Sequence, residues 1–243
     1  MTILPSEERS LYDAFAPGVA YVAVRDRNGI EGIGTCFHVG DDIFVTARHV
    51  VEDVTITKIA TTFTGHAKLG GVYAGSFIEG EWKVGGGPYF HPNPNYDLAA
   101  VRLKGNGAPP IPFLNVSDEE SDALLLKSVV LLGFPPIPGS KGPVLVCAQA
   151  EVNATFQTYF DDQRIFIVSS MARGGFSGGP ALTRPHHCLG VVTRAVLKAD
   201  QPEELGFMAV VGPMPVLELL DHHKLMPAYL REQIWDRRKN KTK

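Results

Sequence analysis

The stretch Arg173-Gly174-Gly175-Phe176-Ser177-Gly178-Gly179-Pro180 decides how the rest of the chain is read. Glycines on both sides of a serine free the backbone for unusual dihedral angles and let another segment come close. Acyl transfer asks for such a turn: an exposed nucleophile with backbone N–H groups converging on a developing oxyanion. The N–H groups of Gly175 and Ser177 are the natural donors for that oxyanion hole. A glycine-rich turn with an incidental serine has the same composition, so the motif needs partners elsewhere in the chain.

Two partners stand upstream. Val45-Thr46-Ala47-Arg48-His49-Val50-Val51 reads as an apolar strand ending at a histidine, and Asn95-Tyr96-Asp97-Leu98-Ala99-Ala100-Val101 as a strand opened by an aspartate. Taken singly, His49 reads as a satisfied structural histidine and Asp97 as a turn cap. Taken together with Ser177 they run in the order His, Asp, Ser, one of the known triad orders.

Around these residues the texture is that of many short strands. The 243 residues include 25 glycines and 18 prolines, the turn formers that an all-β chain uses. Residues 1–17 hold a short helical extension, with Pro17-Gly18 as its stop. Residues 18–105 form a first β unit carrying His49 and Asp97. It opens with two strands joined in a tight hairpin at Asn28-Gly29. Residues 106–121, rich in Pro, Gly and acidic side chains, read as a linker. Residues 122–213 form a second β unit carrying Ser177. Residues 214–243 hold one or two helices, with Leu217, Leu220, Leu225, Leu230 and Trp235 as apolar anchors, and a basic tail.

These motifs resemble those of the trypsin-like serine proteases of chymotrypsin fold. Thr46-Ala47-Arg48-His49-Val50 resembles the family's histidine motif, Tyr96-Asp97-Leu98-Ala99 its aspartate motif, and Gly175-Phe176-Ser177-Gly178-Gly179-Pro180 its Gly-Asp-Ser-Gly-Gly-Pro motif. Gly32-Ile33-Gly34-Thr35-Cys36-Phe37 resembles the Gly-Ser-Gly-Phe strand before the histidine. The resemblance implies an all-β fold of two six-stranded antiparallel β-barrels packed together, with the N-terminal and C-terminal helices added. It implies serine endopeptidase activity on a protein or peptide, with Ser177 as nucleophile, His49 as its base and Asp97 orienting that base. No metal or cofactor is required. By the same analogy a substrate pocket is lined by Met171, Thr193, Arg194, Ala195 and Gly206. Met171 is not acidic, so a small or medium apolar side chain is expected before the cut. Arg194 lies where it would favour acidic neighbours instead.

Two positions depart from the secreted members. Phe176 replaces the aspartate that pairs with a new N-terminal amine after zymogen cleavage, so activation by clipping is not expected. Val50 replaces the cysteine after the histidine, so the bridge to a cysteine placed like Cys36 is missing. With three cysteines in all, Cys36, Cys147 and Cys188, the expectation is buried or partly buried thiols in a reducing cytoplasm, in a bacterial-type intracellular member.

The remaining features are bland. A net charge of −3 and a pI near 6.2 give no electrostatic reason for nucleic acid or membrane partners. No apolar run approaches the roughly 18 residues of a membrane span, and the N-terminus does not read as a secretory signal. His186-His187-Cys188 and His222-His223 lack metal-ligand spacing and read as a surface loop and a polar helix face. The basic tail reads as solvated. Any control is expected from a separate regulatory protein. Two other readings compete: a catalytically silent protease fold used for binding, and an α/β-hydrolase esterase, which needs a helix directly after Ser177.

Overall fold

Strand β1, Val19–Arg25, shows why the apolar runs of this sequence do not alternate with polar residues. Val19 and Tyr21 enter one core, while Ala20, Val22 and Val24 enter another. A strand buried on both faces needs no polar side. β10, Ser128–Gly133, repeats the pattern: Val129 and Leu131 face one core, Val130 and Leu132 a second. Three cores result. Two fill the interiors of two β units, and the third lies between them.

This architecture is seen in a computed structural model describing residues 7–62, 65–69, 72–77, 80–105, 107–113, 124–157, 164–170, 174–183, 187–197 and 204–231. Helix α1, Glu7–Phe15, precedes β1 and buries Leu11 and Phe15 in the core between the units. The first unit continues with β2 (Glu31–Gly40), β3 (Ile43–Thr46), the one-turn helix α2 (Arg48–Val51) and β4 (Thr55–Thr61). A ribbon of β5 (Gly65–Leu69) and β6 (Val72–Phe77) follows, then β7 (Gly80–Glu81), β8 (Lys83–Phe90) and β9 (Ala99–Lys104). The strands outside the ribbon form one antiparallel sheet in the order β7-β4-β1-β2-β3-β9-β8.

Only Trp82 separates β7 from β8. Its N–H donates to the Ile59 carbonyl at 2.9 Å and its ring packs 5.2 Å from that of Phe44. One chain segment thus hydrogen-bonds both edges of the sheet, β4 on one side and β9 on the other. The expected first barrel is therefore a curled seven-stranded sheet, because the bend at Trp82 splits one of its strands in two. The second unit is a closed six-stranded antiparallel barrel as expected. It comprises β10, β11 (Val146–Gln157), β12 (Arg164–Ser169), β13 (Pro180–Thr183), β14 (His187–Leu197) and β15 (Glu204–Val211), in the order β10-β11-β12-β15-β14-β13.

Helix α3, Pro213–His222, closes the chain onto the core between the units through Val216, Leu217, Leu219 and Leu220. Leu225 and Leu230 are also buried there, while Trp235 and the basic tail lie outside the described residues. The part of the linker that is described, residues 107–113, is stitched to both units. Ile111 N–H donates to His38 O at 2.8 Å, and Cys188 N–H donates to Pro112 O at 2.7 Å.

Three local expectations change. The first hairpin turns over Asp26–Ile30 rather than in two residues: the Asp26 carboxylate accepts the N–H groups of Asn28 and Ile30, which widens the loop. Cys188 lies fully buried in β14 rather than in a surface loop, with His187 beside it. Cys147 is exposed, whereas Cys36 is buried as expected, and all three cysteines are free.

Candidate active site

His49 does not end a strand. β3 stops at Thr46, and His49 is the second residue of α2. The helical turn makes Asp97 accessible twice over. The Asp97 carboxylate accepts the backbone N–H of His49 at 2.9 Å through Oδ1 and the ring Nδ1–H at 2.7 Å through Oδ2. An ionised carboxylate only accepts, so the pairing fixes the proton of a neutral imidazole on Nδ1 and leaves Nε2 as the basic nitrogen. The Asp97 side chain is 9% exposed and that of His49 49%. The orienting group is sheltered and the ring it orients is half-exposed.

A bracket of side chains holds this pair, and sequence reading assigned none of them. Arg48 lies beside Phe90, its guanidinium 5.0 Å from the ring centroid, and donates to Glu52 Oε1 at 2.8 and 2.6 Å. That bond holds the Glu52 carboxyl below its usual range. His91, the residue after Phe90, packs its ring tilted against that of Tyr96 with centroids 4.3 Å apart, and its backbone N–H donates to Leu98 O. Phe90 and His91 thus reach the segments carrying His49 and Asp97 from one dipeptide. The C-terminal helix anchors that dipeptide. His223 Nε2–H donates to Phe90 O at 2.7 Å, and Glu218 Oε2 lies 3.5 Å from His91 Nε2. His223 is therefore a structural donor rather than part of a solvated polar face. Burial holds the His91 pKa below its ordinary value. It does the same for His38, whose Nδ1–H donates to Ala108 O at 2.8 Å while its buried Nε2 has no partner among the described residues. Among the described residues no group of His, Cys, Asp and Glu is arranged to hold a metal.

The serine turn sits on the closed barrel. Gly179 N–H donates to Phe176 O at 2.9 Å across Ser177 and Gly178, and Gly178 has φ +86°. Positive φ at the third residue is the signature of a type II turn, and it demands glycine. A Cβ on Gly178 would also collide with Thr35 O and Thr46 Oγ1, so this glycine lets the turn touch the strands leading to His49. The turn is tied there by Thr35 N–H, which donates to Ser177 O at 2.9 Å. Phe176, which replaces the family aspartate, is buried in the barrel core and packs against Gly133. An apolar anchor thus holds the turn, and burying a phenylalanine contributes about 1.5–3 kcal/mol.

Gly175 has φ +101°, and a Cβ there would run into Phe134 O and Pro135. Among the described residues neither the Gly175 nor the Ser177 N–H has a hydrogen-bond acceptor, and no hydrogen bond joins Ser177 Oγ to His49 Nε2. The structure therefore bonds His49 to Asp97, and brings Ser177 to their module through Thr35 and Gly178. Of the residues expected to line a pocket, Thr193 is buried and its hydroxyl lies 3.4 Å from Ala209 O. Gly206 is exposed at φ +76° and lies on β15. Arg194 and Ala195 lie on β14, and Met171 is outside the described residues. After the serine the chain enters β13 directly, not a helix, which removes the α/β-hydrolase reading.

Comparison with known proteins bears on the fold and the family. No curated protein matches the sequence. Among solved structures, the Rv3671c protease from M. tuberculosis in its active form superposes with a TM-score of 0.61 at 20% identity, covering 91% of this chain and 87% of that one. The HtrA-type protease AlgW with a tripeptide gives 0.61 at 16% identity, covering 89% and 63%. The serine endoprotease from Yersinia pestis gives 0.59 at 19%, covering 94% and 68%. At these identities the likeness is one of fold. The model of the trypsin-like peptidase domain matches residues 34–191, well over half of the chain. The chain thus belongs to the trypsin-like peptidase domain family.

Proposed function

We propose that the chain is a serine endopeptidase working through an acyl-enzyme, with Ser177, His49 and Asp97 as its triad. One observation carries this: the sheltered Asp97 carboxylate accepts both the N–H and the Nδ1–H of His49, which leaves Nε2 as the basic nitrogen of a half-exposed ring. In the reaction Ser177 Oγ attacks the substrate carbonyl as its proton passes to His49 Nε2. Asp97 holds the tautomer and stabilises the resulting imidazolium. The tetrahedral oxyanion is received by the N–H groups of Gly175 and Ser177. His49 then gives its proton to the leaving amine, and water releases the acyl group by the reverse sequence. The serine–histidine hydrogen bond forms as substrate excludes water, since such contacts are often long in unliganded sites.

By the family pattern Met171, Thr193, Arg194, Ala195 and Gly206 are assigned to the pocket for the residue before the cut, and the lack of an acidic residue at Met171 supports a preference for a small or medium apolar side chain. Substrates are proteins or peptides, met in the cytoplasm. The three free thiols support that compartment. Neither nucleic acid nor membrane is a partner in this reading, and a separate regulatory protein supplies any control. Profiling against a peptide library tests it. Wild type should cut preferred sequences and the Ser177→Ala protein should cut none. Identical profiles for the two would transfer the chain to the binding-module reading.

A further inference from the structure

We propose that the Thr35 side chain is the latch that sets the Gly175–Ser177 turn for oxyanion binding, so that Thr35 is a positioning residue for the chemical step. The inference rests on the reading of Ser177 as nucleophile. Thr35 is fully buried in β2, on the curled sheet, yet among the described residues its hydroxyl bonds to the other unit alone. Oγ1–H donates to Gly175 O at 2.6 Å, and Oγ1 accepts the N–H of Phe134 at 3.1 Å. Phe134 N–H also reaches Gly175 O at 3.2 Å, closing a three-membered set of polar groups with no water needed. The backbone of the same residue holds the other end of the turn, since its N–H donates to Ser177 O at 2.9 Å. Its own carbonyl is held in turn by the Thr46 hydroxyl at 2.7 Å.

The physical need for such a latch is specific. The Gly175 carbonyl belongs to the peptide plane that joins Gly175 to Phe176. The Gly175 N–H hangs from that plane through a single Cα bearing no side chain. At a glycine with φ +101° such planes rotate at little steric cost. The far plane of the turn is already fixed by the bond from Gly179 N–H to Phe176 O, which sets the Ser177 N–H. Anchoring Gly175 O fixes the plane on the C-terminal side of the Gly175 Cα, so the Gly175 N–H swings from a fixed support through that one Cα, next to a Ser177 N–H that is already set. Preset donors matter most in the transition state. Losing the latch should therefore lower kcat and leave ground-state binding largely intact.

The test compares Thr35→Val, which keeps the shape and removes the hydroxyl, with Thr35→Ser, which keeps the hydroxyl. Steady-state peptide hydrolysis and the affinity for a peptide boronic acid, a tetrahedral mimic, are read alongside fluorophosphonate labelling of Ser177. For Thr35→Val we expect kcat and boronate affinity to fall by about ten- to a hundredfold, with KM within about threefold of wild type. Thr35→Ser should restore both to within about threefold of wild type. Equal kcat and boronate affinity in Thr35→Val and wild type overturn the latch. So do equal losses in the Val and Ser variants, which would point to the methyl group. If Thr35→Val does not fold, Thr35→Cys, similar in size and a weak donor, replaces it against Thr35→Ser with the same two outcomes. A wild type that neither cleaves peptide nor takes the label removes the nucleophile reading, and the latch with it. A labelled, active wild type with an unaffected Thr35→Val removes the latch alone.

Discussion

The two halves of the site are built on different terms. His49 and Asp97 lie on one β unit and are hydrogen-bonded to each other. Their supports, Arg48, Phe90, His91 and Tyr96, come from the same unit, and Glu218 and the cap residue His223 of the C-terminal helix reach in from outside. Ser177 has no such local partner. Its turn is closed within the barrel by Gly179 and anchored by Phe176, but its position relative to His49 is fixed by Thr35 and Gly178 across the gap between units. The acid–base pair is a property of one module, whereas the placing of the nucleophile is a property of the contact between two. Disturbing the first should spoil the chemistry without moving the serine. Disturbing the second should misplace the serine while the His49–Asp97 pair stays bonded.

The largest effect is expected on the first side. Asp97→Asn presents an amide to Nδ1 and favours the wrong tautomer, so kcat should fall roughly 10⁴-fold with KM little changed. Proton NMR of the imidazole should show the altered tautomer, while thermal stability stays near wild type. A variant that keeps more than a tenth of the wild-type kcat would break the assignment of Asp97.

On the second side, Phe176→Ala removes the apolar anchor under the serine turn. The cavity left in the barrel core should cost about 3–5 kcal/mol, read as a lower midpoint in urea unfolding. Activity should drop even where the protein remains folded, because the turn loses its seat. An unchanged midpoint would mean that the ring contributes nothing to holding the turn.

Smaller effects belong to the supports. His223→Ala deletes the donor to Phe90 O and should cost about 1 kcal/mol of stability together with a few-fold loss in kcat. His223→Gln, which can still donate, should recover most of both. Equal losses in the two variants would show that the ring's packing matters and the hydrogen bond does not.

The smallest effect is a pH dependence of stability. His38 and His91 are held neutral by burial, so their folded pKa values lie below that of an unfolded histidine, about 6.5. The unfolded chain then binds more protons as the pH falls through that value. The stability these rings contribute is complete above about pH 6.5 and is lost progressively below it. Tm should therefore decline from pH 7 to 5. His38→Phe, which keeps an aromatic ring against Phe44, should make that decline shallower. An unchanged slope would place the pH sensitivity elsewhere.

The two regions also differ in how far the sequence exposes them. The strands were legible because their apolar runs are bounded by turn formers, and β1 and β10 are buried on both faces. The glycines around Ser177 mark a tight turn by composition alone, without reference to strand pairing. The first unit's closure was less legible, because the bend at Trp82 follows from which strands it pairs with and not from a local signal. The helical turn at His49 was hidden for the same reason: four apolar-flanked residues read equally well as a strand end. Thr35 carries no signal of its role within Gly34-Thr35-Cys36-Phe37. Its hydroxyl meets groups 140 and 99 residues away, and no local pattern encodes such a contact. Phe176 was visible as a departure from the family, but its burial against Gly133 explains it only in three dimensions.

The central claim is that Ser177 is a nucleophile activated by the His49–Asp97 pair, and covalent trapping tests it most directly. Wild type, Ser177→Ala and Asp97→Asn would be treated with a fluorophosphonate and examined by intact mass and peptide mapping. Wild type should gain one adduct, on Ser177; Ser177→Ala should gain none, and Asp97→Asn should react far more slowly. Equal labelling of wild type and Ser177→Ala, or a wild type that stays unlabelled, would contradict the account.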